Sequence, residues 1–511
     1  MGLGPREKLA LKYVLAGVFW LGVAGIEGIL MRARLMGYLT EFYHPEEFYA
    51  VMTVHPFVGI YGWAYMAVMG AFYYLVPLVL KKELYSERVA NIAFWTMVFG
   101  VLITWLSGFL FKFSALYTLY WPLPVLEYPA ISTLVFSIGT IMIFSSVLAF
   151  FFNMFATIFL PSRGAGGAGY VAKELLTLAF NLDKLKAKTK GIKEYLPRVY
   201  NYPVFVVGVF RGCVDTTLNA FTMAGVSIIL AIYSVAKLAG SSLSANLIDP
   251  LIYKNVFWWG LDLIADGNVL IFTAAVWYFL VPLLVKRELF GESVVRTVIL
   301  ADLVVSLFVW NHHMLADTPQ PFALQIQGQI FTWGELLTMG LTMFAVLMTI
   351  WLARPVKYSP ALLAIVLSIL GYAMGGSAGI LQANYSMNRF FHNTQWVIGI
   401  HGHIQLLAGL SLTIFGAIYA AAPLITGKEL DRRLAYVHIV LFFIGAVIMG
   451  LMMGFAGVNG MLRRTLYFNG EYFEYMAGAM VGAILMAIGY LVFLYNFIKT
   501  YGLKVVIEIF R

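Results

Sequence analysis

Charge is what this chain has least of. Only 12% of its 511 residues are Asp, Glu, Lys or Arg, against 61% hydrophobic, a balance that soluble globular domains do not show. Cysteine is almost missing as well. Cys213 stands alone, which excludes an intramolecular disulfide and any cysteine-built zinc or iron–sulfur site. There are no alternating ten-residue stretches of the kind a membrane β-barrel needs. The Gly-rich run after Arg163 has no strand before it and no Gly-Lys-Ser/Thr after it, so it is not a phosphate loop. Met1–Lys12 leads straight into an apolar stretch without a cleavage site, and no cleaved signal peptide is expected. The net charge of +9 does not signal nucleic acid, because the Lys and Arg lie between apolar segments.

Those segments number twelve. They fall at 9–31, 50–80, 90–111, 128–160, 203–236, 255–285, 293–316, 327–353, 358–381, 390–425, 433–457 and 473–498. Each exceeds the roughly 20 residues that a helix needs to span a bilayer, and lipid demands that a backbone satisfy itself internally. We therefore expect an all-α polytopic membrane protein, residues 1–511 forming one transmembrane catalytic domain in contact with membrane lipid. With both termini placed in the cytoplasm, 25 of the 34 Lys and Arg lie in inner loops and tails and eight in outer loops, with Arg211 inside the fifth span. That asymmetry follows the positive-inside rule and suits a prokaryotic cytoplasmic membrane. The longest polar piece, 161–202, reads as a cytoplasmic loop, Gly-rich then Lys-rich, with a surface helix against anionic lipid.

The most informative residues are His401-Gly402-His403. Side chains two apart on an α-helix point about 200° from each other, so one helix can hand an imidazole to a metal on each side. Five histidines fall within spans: His55, His312, His313, His401 and His403. Span direction alternates, yet all five land in the outer half of the membrane. Asp262, Asp266 and Glu335 fall in the same slab. Ionisable groups at that depth are expensive and mark function, and neutral imidazole is the commonest metal ligand. Glu27 and Asp302 are further intramembrane acids, for which proton relay and internal hydrogen bonding both stay open. His392 reads as a surface histidine; His44 and His438 receive no role.

A His in span 2, a His-His pair in span 7, His-x-His in span 10 and Arg463-Arg464 in the last outer loop together resemble the catalytic subunit of the haem–copper oxidase superfamily, which includes the nitric oxide reductases. The resemblance covers nearly the whole chain. It implies that His55 and His403 are axial ligands of a low-spin haem and that His401 is the proximal ligand of a high-spin haem. It implies that His312 and His313 bind a second metal facing that haem, and that Arg463 and Arg464 neutralise haem propionates. The haems are expected to be b-type.

One departure bears on the reaction. The oxidases carry His-Pro-Glu-Val-Tyr in span 6, and the reductases a run like Trp-Trp-x-x-His-Leu-x-x-Glu. This chain reads Trp258-Trp259-Gly260-Leu261-Asp262-Leu263-Ile264-Ala265-Asp266. Asp262 takes the place of the ligand His, Asp266 that of the oxidase Tyr or the reductase Glu, and Ile264 that of the oxidase glutamate. Glu335 resembles a reductase glutamate near the second metal. No tyrosine precedes the span 7 pair, where Phe308-Val309-Trp310-Asn311 stands, and span 8 has no lysine. These features favour two-electron chemistry, with Asp262, Asp266 and Glu335 in catalytic roles. Two imidazoles with Asp262 and Glu335 as metal ligands suit non-haem iron over copper.

The leading expectation is a nitric oxide reductase large subunit that takes electrons from the outer side and acts on a small gaseous substrate. A cytochrome c or a cupredoxin, as second subunit or soluble donor, fits as electron source better than a quinol. The rivals are an oxidase reducing O2 to water, an enzyme dismutating NO and, outside enzymes, a haem carrier or transporter.

Overall fold

The computed structural model describes residues 3–160, 167–182, 202–241, 243–317 and 319–510. Twelve helices among them are long and apolar enough to cross a membrane. Spans 1 to 6 are Pro5–Leu35, Pro45–Leu80, Glu87–Phe109, Ala130–Phe159, Val204–Leu238 and Pro250–Val285; spans 7 to 12 are Glu292–Met314, Phe322–Leu352, Pro360–Leu381, Val397–Thr426, Arg432–Val458 and Phe473–Tyr501. The described residues contain no strand; Thr394 and Leu462 form an isolated bridge. The starts obey local chemistry. Pro opens spans 1, 2, 6 and 9, where its missing N–H removes nothing. Side chains of Ser86, Asp249, Ser359 and Asp431 cap the free N–H groups of spans 3, 6, 9 and 11. Of the 161–202 loop, Ala168–Ala179 is helical; the Gly-rich opening at 161–166 and the Lys-rich stretch at 183–201 lie outside the described residues.

Spans 2, 6 and 10 form the middle of the bundle. Between 67% and 72% of their most apolar windows is buried, against at most 56% in any other span. The same three spans leave the α-helical path, with i→i+5 winding at Val58–Tyr65, Ala265–Ile271 and Val397–Ser411. Such winding is rare and concentrates at functional sites. In span 2 it begins two residues after Pro56, which withholds a backbone donor from the ladder. Elsewhere helices close up through small residues: a Cβ on Gly445 or Gly482 would meet the other's carbonyl oxygen at 2.5 Å, joining spans 11 and 12.

Two expected helices are interrupted. Span 7 is α-helical only to Ser306, and a 3-10 turn at Trp310–Met314 then carries the histidine pair. Gly328 of span 8 seats this turn, since a Cβ there would meet the Asn311 and His312 backbone at 2.7 Å. Span 10 begins at Val397, not at 390. A short helix, Tyr385–Phe391, is capped by Asn384, and the following strip pairs with the arginine loop: Gln395 N–H donates to the Met461 carbonyl at 2.8 Å, and Arg463 N–H to the Asn393 carbonyl at 3.0 Å. Apolar composition extends across this strip, but its backbone bonds go to another loop.

Candidate metal and haem centre

Each interior imidazole of spans 2 and 10 is held by one nitrogen. His55 Nδ1 lies 3.0 Å from Glu27 Oε2 of span 1, and Glu27 Oε1 accepts the Trp105 indole N–H at 2.8 Å. His401 Nδ1 faces the Gly375 carbonyl at 3.0 Å, and His403 Nδ1 the Ile398 carbonyl at 2.7 Å. A carbonyl or carboxylate can only accept, so these Nδ1 atoms carry the proton and Nε2 keeps a lone pair for a metal. Gly379 backs His401, where a Cβ would meet the ring at 2.5 Å.

The span 7 pair converges on span 6. His313 Nε2 is 3.1 Å from Asp262 Oδ1, and His312 Nε2 is 3.9 Å from the same oxygen. Thr332 gives its hydroxyl proton to the Gly328 carbonyl and takes the His312 Nδ1–H at 3.1 Å. Trp258 stacks on His313 at 4.2 Å between ring centroids. One ligand atom from each of Asp262, His312 and His313 falls within 4.8 Å of the others. Asp262 Oδ2 and His313 Nδ1 are buried with no hydrogen-bond partner. Two imidazoles, one carboxylate and orphaned buried donor atoms fit a metal, and this donor set is the one non-haem iron favours.

Asp266 and Glu335 stand beside that group and not within it. Both line the same cavity, and Asp266 Oδ2 and Glu335 Oε1 are buried and unpartnered. Carboxyls with unpartnered oxygens at such a place can take up and release protons.

All ten residues singled out from the sequence line one continuous cavity of about 850 Å³: His55, His401, His403, His312, His313, Asp262, Asp266, Glu335, Arg463 and Arg464. Gly28, Gly59 and Gly376 also face it, and a Cβ on any of them would meet nothing within 4 Å. That hollow between imidazoles, floored by glycine, fits flat macrocycles. At its rim Arg463 is buried, bonded to Asn393 Oδ1 at 3.1 Å, with its Nε unpartnered. Burial pushes its guanidinium down to about 10, so it is still charged near neutrality and suited to an anion. Arg464 adopts φ +59°, a left-handed conformation uncommon for a side-chain-bearing residue, and its Nη1 reaches Thr118 Oγ1 at 3.4 Å.

His392 corrects the sequence reading. It is not on the surface but 3% exposed, with Nδ1 3.0 Å from Gln382 Oε1, an unpartnered Nε2 and its ring 5.5 Å from that of His313. Burial, with Arg463 close by, holds this imidazole well below the usual histidine range. The strip pairing that displaces the start of span 10 also carries His392 inward, and nothing in the local sequence signals it. Glu27 was visible as an intramembrane acid, but its partners on spans 2 and 3 were not. Arg32, buried beside the cavity and donating to Met453 Sδ at 2.8 Å, is a further residue that sequence reasoning did not single out.

Residues 8–492 match the family model described as cytochrome c and quinol oxidase polypeptide I. The chain is 24% identical over 515 residues to the quinol oxidase subunit 1 of Bacillus subtilis (strain 168), covering 96% of this chain and 71% of that protein. It is 26% identical over 518 residues to the cytochrome c oxidase subunit 1 of the same organism, covering 97% and 74%. A solved structure described as a heme-copper terminal oxidase dimer superposes with a TM-score of 0.74 at 20% identity, over 97% of this chain and 84% of that one.

Proposed function

The chain belongs to the cytochrome c and quinol oxidase polypeptide I family, subunit I of the haem–copper oxidases, and on that premise we propose that it reduces nitric oxide: two NO, two electrons and two protons give N2O and water. Its class is a respiratory, multi-pass membrane oxidoreductase that takes electrons from a donor, acts on a small gas and carries haems and a binuclear metal centre. The proposal adds the gas, the second metal, the donor and the residue roles.

In this reading His55 and His403 hold a low-spin haem, His401 holds a high-spin haem, and His312, His313 and Asp262 hold a non-haem iron with Glu335 at its edge. The haems are b-type. Once bound, these groups would pass on the donor's electrons and supply the metal chemistry that the reaction needs. The protein's own part is positional and protonic. Glu27 and the Gly375 and Ile398 carbonyls fix the ring tautomers. Arg463 and Arg464 neutralise propionates. Asp266 and Glu335, which line the same cavity, give up the two protons and are reloaded. Electrons come from the side where the arginine pair lies, assigned outward by the basic loops, through a cytochrome c or cupredoxin partner; both termini are then cytoplasmic.

The observation that carries the reading is Asp262 against both His312 and His313, with Asp266 and Glu335 lining the same cavity. An imidazole and a tyrosine stand there in the oxidases that the sequence resembles, and a phenol can supply an electron that a carboxylate cannot. A second reading, reduction of O2 to water, is favoured by the names of the relatives, which are quinol and cytochrome c oxidases. Gas turnover by the purified protein with an artificial donor decides between them. N2O from NO with negligible O2 uptake supports the proposal, and fast O2 consumption overturns it.

A further inference from the structure

Where a helix stops, its last carbonyls lose their partners. Span 7 leaves the α-helical path after Ser306, so the carbonyls that follow need donors from elsewhere. Side chains of three different elements supply them. The Trp259 indole of span 6 donates to the Leu307 carbonyl at 3.1 Å, and the Gln327 amide of span 8 to that of Phe308 at 2.9 Å. Asn388, on the short helix Tyr385–Phe391, gives its amide N–H to the His312 carbonyl at 2.8 Å.

The turn is also gripped by a pair of amides. Asn255 of span 6 and Gln320 of the loop between spans 7 and 8 exchange hydrogen bonds, Gln320 Nε2 to Asn255 Oδ1 at 2.9 Å and Asn255 Nδ2 to Gln320 Oε1 at 3.2 Å. Asn255 Oδ1 accepts the Trp310 indole N–H at 3.2 Å as well, and Gln320 Nε2 donates to Asn311 Oδ1. Trp310 and Asn311 are the two residues before His312. Asn255 precedes Asp262 by seven residues, two turns along one face of the same helix. Span 6 therefore presents the carboxylate with one residue and holds the imidazole turn with another. Asn255, Gln320 and Asn388 stand outside the wall of the cavity that the candidate ligands line, so they do not compete for the metal.

We infer that Asn255, Gln320 and Asn388 are positioning residues of the second-metal site: they hold His312 and His313 at a fixed spacing from Asp262, so that the three ligands converge before metal binds. Ordering a loose turn at the moment of binding weakens affinity, and a turn already held avoids that loss. Gln320 and Asn388 are buried, where an amide that loses its partner has no water to replace it. The inference rests on the reading of Asp262, His312 and His313 as metal ligands and not on which gas is reduced.

The test uses the haem-loaded protein, stripped of its second metal and reloaded with zinc(II), whose X-ray absorption is separate from that of haem iron. Asn255→Leu and Asn388→Leu are each expected to weaken zinc binding by about 10- to 100-fold, the usual effect of losing a partner behind a ligand, and to broaden the spread of zinc–ligand distances. Asn255→Asp keeps the oxygen that accepts from Gln320 and Trp310, so it should restore most of the affinity that Asn255→Leu loses. The low-spin haem spectrum should stay as in the wild type in all three. Wild-type zinc affinity in either Leu variant overturns the inference. So does a loss in Asn255→Asp equal to that in Asn255→Leu, or a loss of zinc that comes with loss of the low-spin haem, which marks a general loosening of the fold. If Asp262→Ala binds zinc as tightly as the wild type, the metal-site reading falls too; if Asp262→Ala loses zinc while the Leu variants keep it, only the positioning role falls.

Discussion

Asp262 Oδ1 lies 3.1 Å from His313 Nε2 and 3.9 Å from His312 Nε2, which places a carboxylate between two imidazoles from another span. Water excluded from such a position leaves the carboxylate dependent on its partners, because an unpaired buried charge is unfavourable by several kcal/mol. Asp262→Ala should therefore remove the second metal while both haems stay bound. Metal analysis is expected to find one iron in excess of the haem iron in the wild type and none in the variant. Copper with no excess iron in the wild type would refute the iron assignment.

Glu27 is 3.0 Å from His55 Nδ1. A carboxylate on the far nitrogen makes an imidazole a stronger donor and stabilises the oxidised metal. Glu27→Gln keeps an acceptor but loses the charge, so the low-spin haem's midpoint potential should rise in a redox titration. Glu27→Ala should weaken haem retention by about 10- to 100-fold. An unchanged potential in Glu27→Gln would show that the carboxylate does not tune this haem.

Gly379 gives the His401 ring its room. Gly379→Ala would press a methyl against the ring at 2.5 Å, an overpacking worth about 1–3 kcal/mol. Since the strain falls on the ligand proposed for the high-spin haem, that haem's signal should be lost or shifted while the low-spin spectrum, assigned by the proposal to His55 and His403, persists. Equal loss of both signals would show that the two sides of span 10 are not independent.

His392 is held neutral by burial, its folded pKa well below the ordinary value near 6.5. The unfolded chain then takes up a proton near pH 6.5 that the folded chain refuses. The stability this histidine contributes is complete above that pH and is lost as pH falls toward the folded pKa, by up to about 1.4 kcal/mol per pH unit. Thermal denaturation between pH 7 and 5 should fall less steeply in His392→Gln than in the wild type. Parallel curves would contradict the assignment.

Much of the site was legible in the chain because membranes restrict what a sequence can hide. An ionisable side chain in an apolar stretch stands out, and alternating span direction converts its position into a depth. That is how His55, His312, His313, His401, His403, Asp262, Asp266 and Glu335 could be placed in one slab before any contact was known, and all of them line one cavity. Glu27 is different: its depth is readable from the chain, but its choice of His55 and Trp105 depends on how spans 1, 2 and 3 pack. His392 fails for a different reason, since a loop has no periodicity from which to infer burial.

The sequence by itself determined the twelve apolar spans, the family and the identity of the groups available to bind metal. Composition and spacing suffice for that, because lipid leaves helices as the one backbone solution for such segments. Tertiary structure decided which nitrogen each histidine leaves free, the break that puts His312 and His313 on a 3-10 turn, the inward path of His392, and the pairing of Arg211 with Asp302 across spans 5 and 7. Most of these depend on contacts between separate segments of the chain, set by small-residue packing and buried hydrogen bonds that no local pattern encodes.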